Sequence, residues 1–176
     1  MTDIVDSNDP WEMRCNAIYK AELSALYHQK RERFFELMDK LTKAVALFGG
    51  SAALWKIADP GIVSILAVAI TASSALSLVF SFSDRSKRHS ELAMNYRTVI
   101  AEIEAKGRHN FTAEDADAWS AKLCTLDAKE PPALSALIVL CQNELAIAKG
   151  HPGHVHRQNF LVRSILAHFF DLPRHA

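Results

Sequence analysis

Hydroxyls, histidines and cysteines are the residues of this chain whose types could support chemistry, and their spacing limits what that chemistry is. Six serines and one threonine lie between residues 60 and 83. Ser64, Thr71, Ser74 and Ser81 recur at seven- and three-residue offsets, which places them on one face of a helix. In an apolar helix such a face has two uses. It lines water, which makes these four candidate pore-lining residues, or each hydroxyl donates back to a carbonyl of the preceding turn and does nothing further. His151, His154 and His156 fall within six residues, but the spacing fits no standard zinc motif and no cysteine is near, so we assign them to a solvated or phosphate-facing loop and expect no metal. Cys15, Cys124 and Cys141 are odd in number, widely spaced and without a CxxC pair, the pattern of free thiols. There is no nucleophile with its base, no Gly-rich phosphate loop and no paired-carboxylate signal, so neither an enzyme nor a cofactor is expected.

The elements that must position the hydroxyls follow from where the charge is. Twenty basic and twenty acidic residues cancel, which gives no indication of a nucleic-acid partner. The distribution is uneven: between residues 44 and 83 only Lys56 and Asp59 are charged. Residues 60–83 form an uncharged run of 24 with fifteen Ala, Val, Ile, Leu or Phe, enough for a helix at about 1.5 Å rise per residue to cross a hydrocarbon core of about 30 Å. Residues 41–58 hold a twelve-residue uncharged stretch and reach spanning length only with their flanks, where the stems of Lys43 and Lys56 lie along lipid. Asp59-Pro60-Gly61 between them is a tight polar turn, so the two segments are expected to form an antiparallel transmembrane hairpin. Ala46, Gly49, Gly50 and Ala53 in the first span, and Ala67, Thr71 and Ala75 in the second, give small-xxx-small pairs that let helix backbones approach, either within the hairpin or between copies.

The flanks read as helices. Asp9-Pro10 opens one over residues 11–40, with Leu23, Leu26, Tyr27, Phe34, Leu37, Met38 and Leu41 at three- and four-residue steps, running straight into the first span. Beyond the second span, Leu92, Tyr96, Val99, Ile100 and Ile103 form a helical stripe. Thr112-Ala-Glu-Asp115 is a capping signature for a helix through Asp127, Pro131-Pro132 starts a helix over 133–149 closed by Gly150, and a last helix covers about 156–171. The apolar face of that last helix packs on the other helices or lies in the membrane interface. The expected fold is all-α: one domain, 1–176, with a membrane-integral hairpin continuous with a cytoplasmic helical bundle (11–40 and 84–171). Lys30, Arg31, Arg33, Lys40 and Lys43 before the first span and Arg85, Lys87 and Arg88 after the second put both termini in the cytoplasm. Residues 1–10 are acidic and polar, unlike a signal peptide, so insertion is expected to use the internal segments.

Tyr27-His-Gln-Lys-Arg-Glu-Arg-Phe-Phe35 followed by Gly49-Gly-Ser-Ala-Ala53 resembles the prokaryotic SLATT families of two-helix membrane proteins. Glu130-Pro-Pro-Ala-Leu-Ser-Ala-Leu137, Leu140-Cys-Gln-Asn-Glu144 and Phe169-Phe-Asp-Leu-Pro173 look like their later segments, so the likeness covers about residues 19–173. The resemblance implies an effector of bacterial conflict or antiviral defence systems in the inner membrane. In such systems the hairpin makes a pore or disrupts the bilayer after a sensor protein, or a nucleotide-signal generator encoded nearby, detects infection. Two spans cannot enclose a pore alone, so the expected partners are the lipid bilayer and further copies of the chain in a homo-oligomer. The competing expectation is a membrane-anchored helical interaction module without pore activity; a third, a soluble bundle with a buried hairpin, fits poorly with a charge-free helix lacking a polar face.

Overall fold

In a computed structural model, which describes residues 9–54 and 60–151, the chain is helical with no strand among the described residues. Five helices follow one another: α1 Pro10–Leu54, α2 Pro60–Phe80, α3 Phe82–Ala105, α4 Ala113–Asp127 and α5 Ser135–Ala148. The expected helix over 156–171, and His154 and His156, lie outside the described residues.

The helices group into two compact units, one of residues 30–89 and one of residues up to 29 and from 90 onward. Consequently α1 and α3 each contribute to both. α1 has no internal break because no Gly or Pro interrupts it before Gly49 and Gly50, and a helical Gly pair costs about 1 kcal/mol per residue without ending the helix.

In the second of these units the core is built on small residues of α1. Ala17, Ala21 and Ala25, spaced by four, are buried against Tyr96, Val99 and Ile103 of α3 and Ala116, Trp119, Leu123 and Leu126 of α4. A methyl at each turn lets the neighbouring helices come close, which a row of leucines would prevent. α4 begins with a complete capping box: the Thr112 hydroxyl accepts from the Asp115 amide and the Asp115 carboxylate accepts from the Thr112 amide at 3.1 Å. α5 starts at Ser135, later than the proline pair suggests, because Leu134 is still extended (φ −87°, ψ 111°) and its N–H donates to the Tyr27 hydroxyl at 3.1 Å. Gly150, at φ +80°, closes α5, with the His151 N–H returning to the Ala146 carbonyl.

The unit of residues 30–89 is an antiparallel pairing of the later half of α1 with α2 and the start of α3. Its register is set by Gly49 against Ile70 at one end and by the Ser86 hydroxyl donating to the Glu32 carbonyl (3.3 Å) at the other. α2 and α3 are separated by one residue. Ser81 adopts φ +46°, its N–H still bonded to the Ser77 carbonyl while its own carbonyl accepts from Asp84 and Arg85. The uninterrupted helix expected over 60–83 is therefore broken there.

Candidate functional site

α2 is where apolar side chains have been left uncovered. Ile65, Val68, Leu78 and Val79 are each 69–80% exposed, and on α1 Leu47 and Phe48 are 67% and 73% exposed. The stretch from Val63 contains an 18-residue window of mean hydropathy 2.2, none of it buried. No other described helix is both long and apolar enough to cross a membrane. The first expected span, 41–58, is the end of α1 as far as Leu54; its last residues are outside those described, and the helical part carries Lys43 and lacks the unbroken apolar length of α2.

Against that apolar exterior the inner face of α2 is half-buried through Leu66, Ile70, Ser73 and Ser77, one residue per turn. Gly49 is the point of closest approach: a Cβ built on it would stand 2.8 Å from Ile70 Cδ1 and Cγ1. Gly50 would meet nothing within 4 Å, Ala46 is half-buried, and Ala67 and Ala75 are exposed. Nothing is described of the Ala53 side chain. Within one chain the small residues thus divide into a contact at Gly49 and an outward set at Ala67 and Ala75.

Between α1 and α2, next to the Ser81 break, an open cleft of about 440 Å³ is lined by serines together with Leu78 and Phe82. α2 lines it with Ser73, Ser74 and Ser77, and the break and first turn of α3 add Ser81, Ser83 and Asp84. Across from them stand Asp39, Thr42, Lys43 and Ala46 of α1. Asp39 holds Lys43 in an ion pair of 2.6 Å, and Asp84 sits in the first turn of α3, where the helix dipole favours a carboxylate. Of the four pore-lining candidates, Ser74 and Ser81 line this cleft and Ser64 and Thr71 do not. Thr71 faces outward and its hydroxyl donates to the Ala67 carbonyl at 2.9 Å; Ser81 donates to Leu78 at 3.3 Å. Ser73 and Ser77 also line the cleft, and the mutual spacing of hydroxyls does not single them out. The signal for them is their alignment, at four- and three-residue steps, with Leu66 and Ile70.

A second polar cluster, in the α4-containing unit, has no counterpart in the sequence reading. His28 is fully buried, its Nε2 2.8 Å from Glu130 Oε1, and its ring stacks on Tyr96 at 5.8 Å and 18°. The buried Tyr96 hydroxyl reaches both Glu130 Oε1 (2.6 Å) and Asp127 Oδ1 (2.8 Å), and Asp127 also pairs with Lys20. Burial, with the two carboxylates beside it, pushes the Tyr96 phenol far above its usual value, so it stays a proton donor. This cluster ties α1, α3 and the loop before α5. Cys15 and Cys124 are exposed and Cys141 buried, all as free thiols, and no described group of His, Cys, Asp and Glu could hold a metal ion.

An all-helical protein with one helix suited to crossing a membrane is what these features define. No family model matches the chain, and neither a curated protein nor a solved structure does so.

Proposed function

We propose that the chain is a membrane-integral helical hairpin that assembles as a homo-oligomer and permeabilises the cytoplasmic membrane, as its resemblance to the SLATT effectors implies. The observation that carries this reading is the juxtaposition, on one helix, of a wholly uncovered apolar exterior with a hydroxyl-lined cleft. Lipid satisfies the first, whereas an open cleft lined by serines beside Asp39, Lys43 and Asp84 is better matched by water. In this reading residues 41–58 complete the hairpin as a second span and both ends remain cytoplasmic. The unbroken α1 gives a sensor protein a route from the helical bundle to the hairpin.

A second reading, an anchor for an interaction platform, is favoured by the back-bonded hydroxyls of Thr71, Ser73 and Ser81, which need no water. The two are separated by filling the cleft. Ser74→Leu with Ser77→Leu should abolish dye-reported depolarisation at membrane levels matched to the parent, while Thr71→Val, on the outward face, should leave it intact. Equal depolarisation by the parent and the cleft-filled variant removes the cleft from the permeation path. A parent that never depolarises cells, even with its neighbouring sensor co-expressed, leaves the anchor.

A further inference from the structure

The antiparallel register of α1 and α3 brings together two basic tracts that are 54 residues apart in sequence, Glu32 of one meeting Ser86 of the other. The join is made on a single ring. Phe35 is buried, with His89 stacked on it at 5.6 Å and 14°, and the guanidinium carbons of Arg31 and Arg85 lie 4.5 Å and 5.9 Å from its centroid. With Arg31 and Arg85 on that ring, the tract Lys30, Arg31 and Arg33 of α1 lies level with Arg85, Lys87 and Arg88 of α3. Over residues 30–35 and 84–89 these six cations are opposed by only two carboxylates, Glu32 and Asp84. Arg33, Arg85, Lys87 and Arg88 are exposed.

The belt adjoins the uncovered apolar surface on both helices. On α1 the exposed Leu37, Leu41 and Val45 follow Arg33 within a few turns, and on the other strand of the hairpin Phe80 and Val79 precede Arg85. An excess of positive charge beside an apolar surface, with Glu36 and Asp39 already paired to Lys40 and Lys43, fits the phosphates of an anionic leaflet. Arginines whose planes are already fixed by an aromatic ring lose less freedom on binding phosphate than mobile lysines do.

We infer that the belt formed by residues 30–33 and 85–88 is a binding site for anionic phospholipid headgroups. This rests on the hairpin being membrane-inserted, and it makes the stability of the inserted state depend on lipid charge and not only on lipid apolarity.

The test uses the full chain, purified in a nonionic detergent and melted while phosphatidylglycerol or phosphatidylcholine is titrated in. Phosphatidylglycerol should raise the melting temperature at lower concentration than phosphatidylcholine, and the difference should shrink as salt rises from 50 to 500 mM, values chosen because they bracket a Debye length of roughly 10 Å. Arg33→Gln with Lys87→Gln should raise the half-maximal phosphatidylglycerol concentration about 25-fold, at roughly fivefold per cation, and Arg33→Lys with Lys87→Arg should restore it. Inorganic phosphate should not substitute for the lipid. Equal responses to the two lipids, or an anionic response insensitive to salt, overturns the site, and the salt arm needs no variant to fold. Carbonate extraction of membranes from expressing cells reports separately on insertion: a chain released by carbonate defeats the membrane reading, while a chain retained but indifferent to lipid charge defeats only the headgroup site.

Discussion

The Tyr96 hydroxyl has one proton and two carboxylates to serve, and the His28 ring, stacked on it, points its own nitrogen at Glu130. Removing that hydroxyl deletes two hydrogen bonds made by a buried donor to half-buried carboxylates, so Tyr96→Phe should cost about 1 kcal/mol, read by chemical denaturation. The pH dependence has a definite sign. The folded-state pKa of Tyr96 is raised, so the stabilisation held by its protonated form is complete below the unfolded value of about 10 and is lost as pH climbs beyond it. The stability gap between parent and Tyr96→Phe should therefore be constant from pH 7 to about 9.5 and narrow above it. A gap unchanged at pH 11 would mean that Tyr96 does not report on that proton. At the hairpin, the two adjacent glycines should behave differently. Gly49→Ala must displace Ile70, whereas Gly50→Ala enters open space and gains up to about 1 kcal/mol of helix propensity. Gly50→Leu, whose Cβ meets nothing within one chain, should weaken cross-linking between copies if that face meets a neighbour.

At the scale of elements, the hairpin owes its cleft to the break between α2 and α3. Ser81 is a non-glycine residue in left-handed backbone, where a Cβ costs roughly 1–2 kcal/mol. Ser81→Gly should raise the melting temperature of the detergent-solubilised chain while keeping the break, and Ser81→Ala should not. If Ser81→Gly lowers it, the Ser81 hydroxyl contributes more than its backbone strain costs. α4 shows the opposite economy, a start written in its own residues. The Asp115 carboxyl is held below its usual range first by the Lys106 ammonium at 3.0 Å and then by the Thr112 amide. With a lowered folded pKa, its contribution is present above the unfolded value of about 3.9 and lost as pH falls through the folded one. Asp115→Asn should accordingly lower stability at pH 7 and differ less from the parent at pH 3, the effect being small because the pair lies at the solvent-facing surface with the Lys106 side chain exposed.

For the whole molecule, the orientation proposed from the basic flanks places the α4-containing unit in the cytoplasm, and two native thiols can report it. Cys15 and Cys124 are exposed in that unit and Cys141 is buried. In intact cells a membrane-impermeant maleimide should leave both exposed thiols unmodified, and permeabilisation should make both react with Cys141 still protected. Labelling from outside would reverse the topology and place the basic belt on the wrong leaflet.

Periodicity alone disclosed much of this architecture. The α3 stripe of Leu92, Tyr96, Val99 and Ile103 is buried, the Thr112 cap forms, and Gly150 ends α5, because each depends on neighbours a turn apart. The apolar character of α2 is equally local, being composition summed over one segment. What tertiary structure decided concerns pairs distant in the chain. Leu37 and Leu41, in phase with the rest of their helix, are exposed while the less conspicuous Ala17, Ala21 and Ala25 are core, since the depth of a neighbouring helix, and not the size of a residue, determines what is covered. Likewise no spacing within α2 could say that Ser73 and Ser77 face α1 while Thr71 turns away, or that Glu130 would find His28 across 102 residues: these are consequences of helix register, which only the packed chain sets.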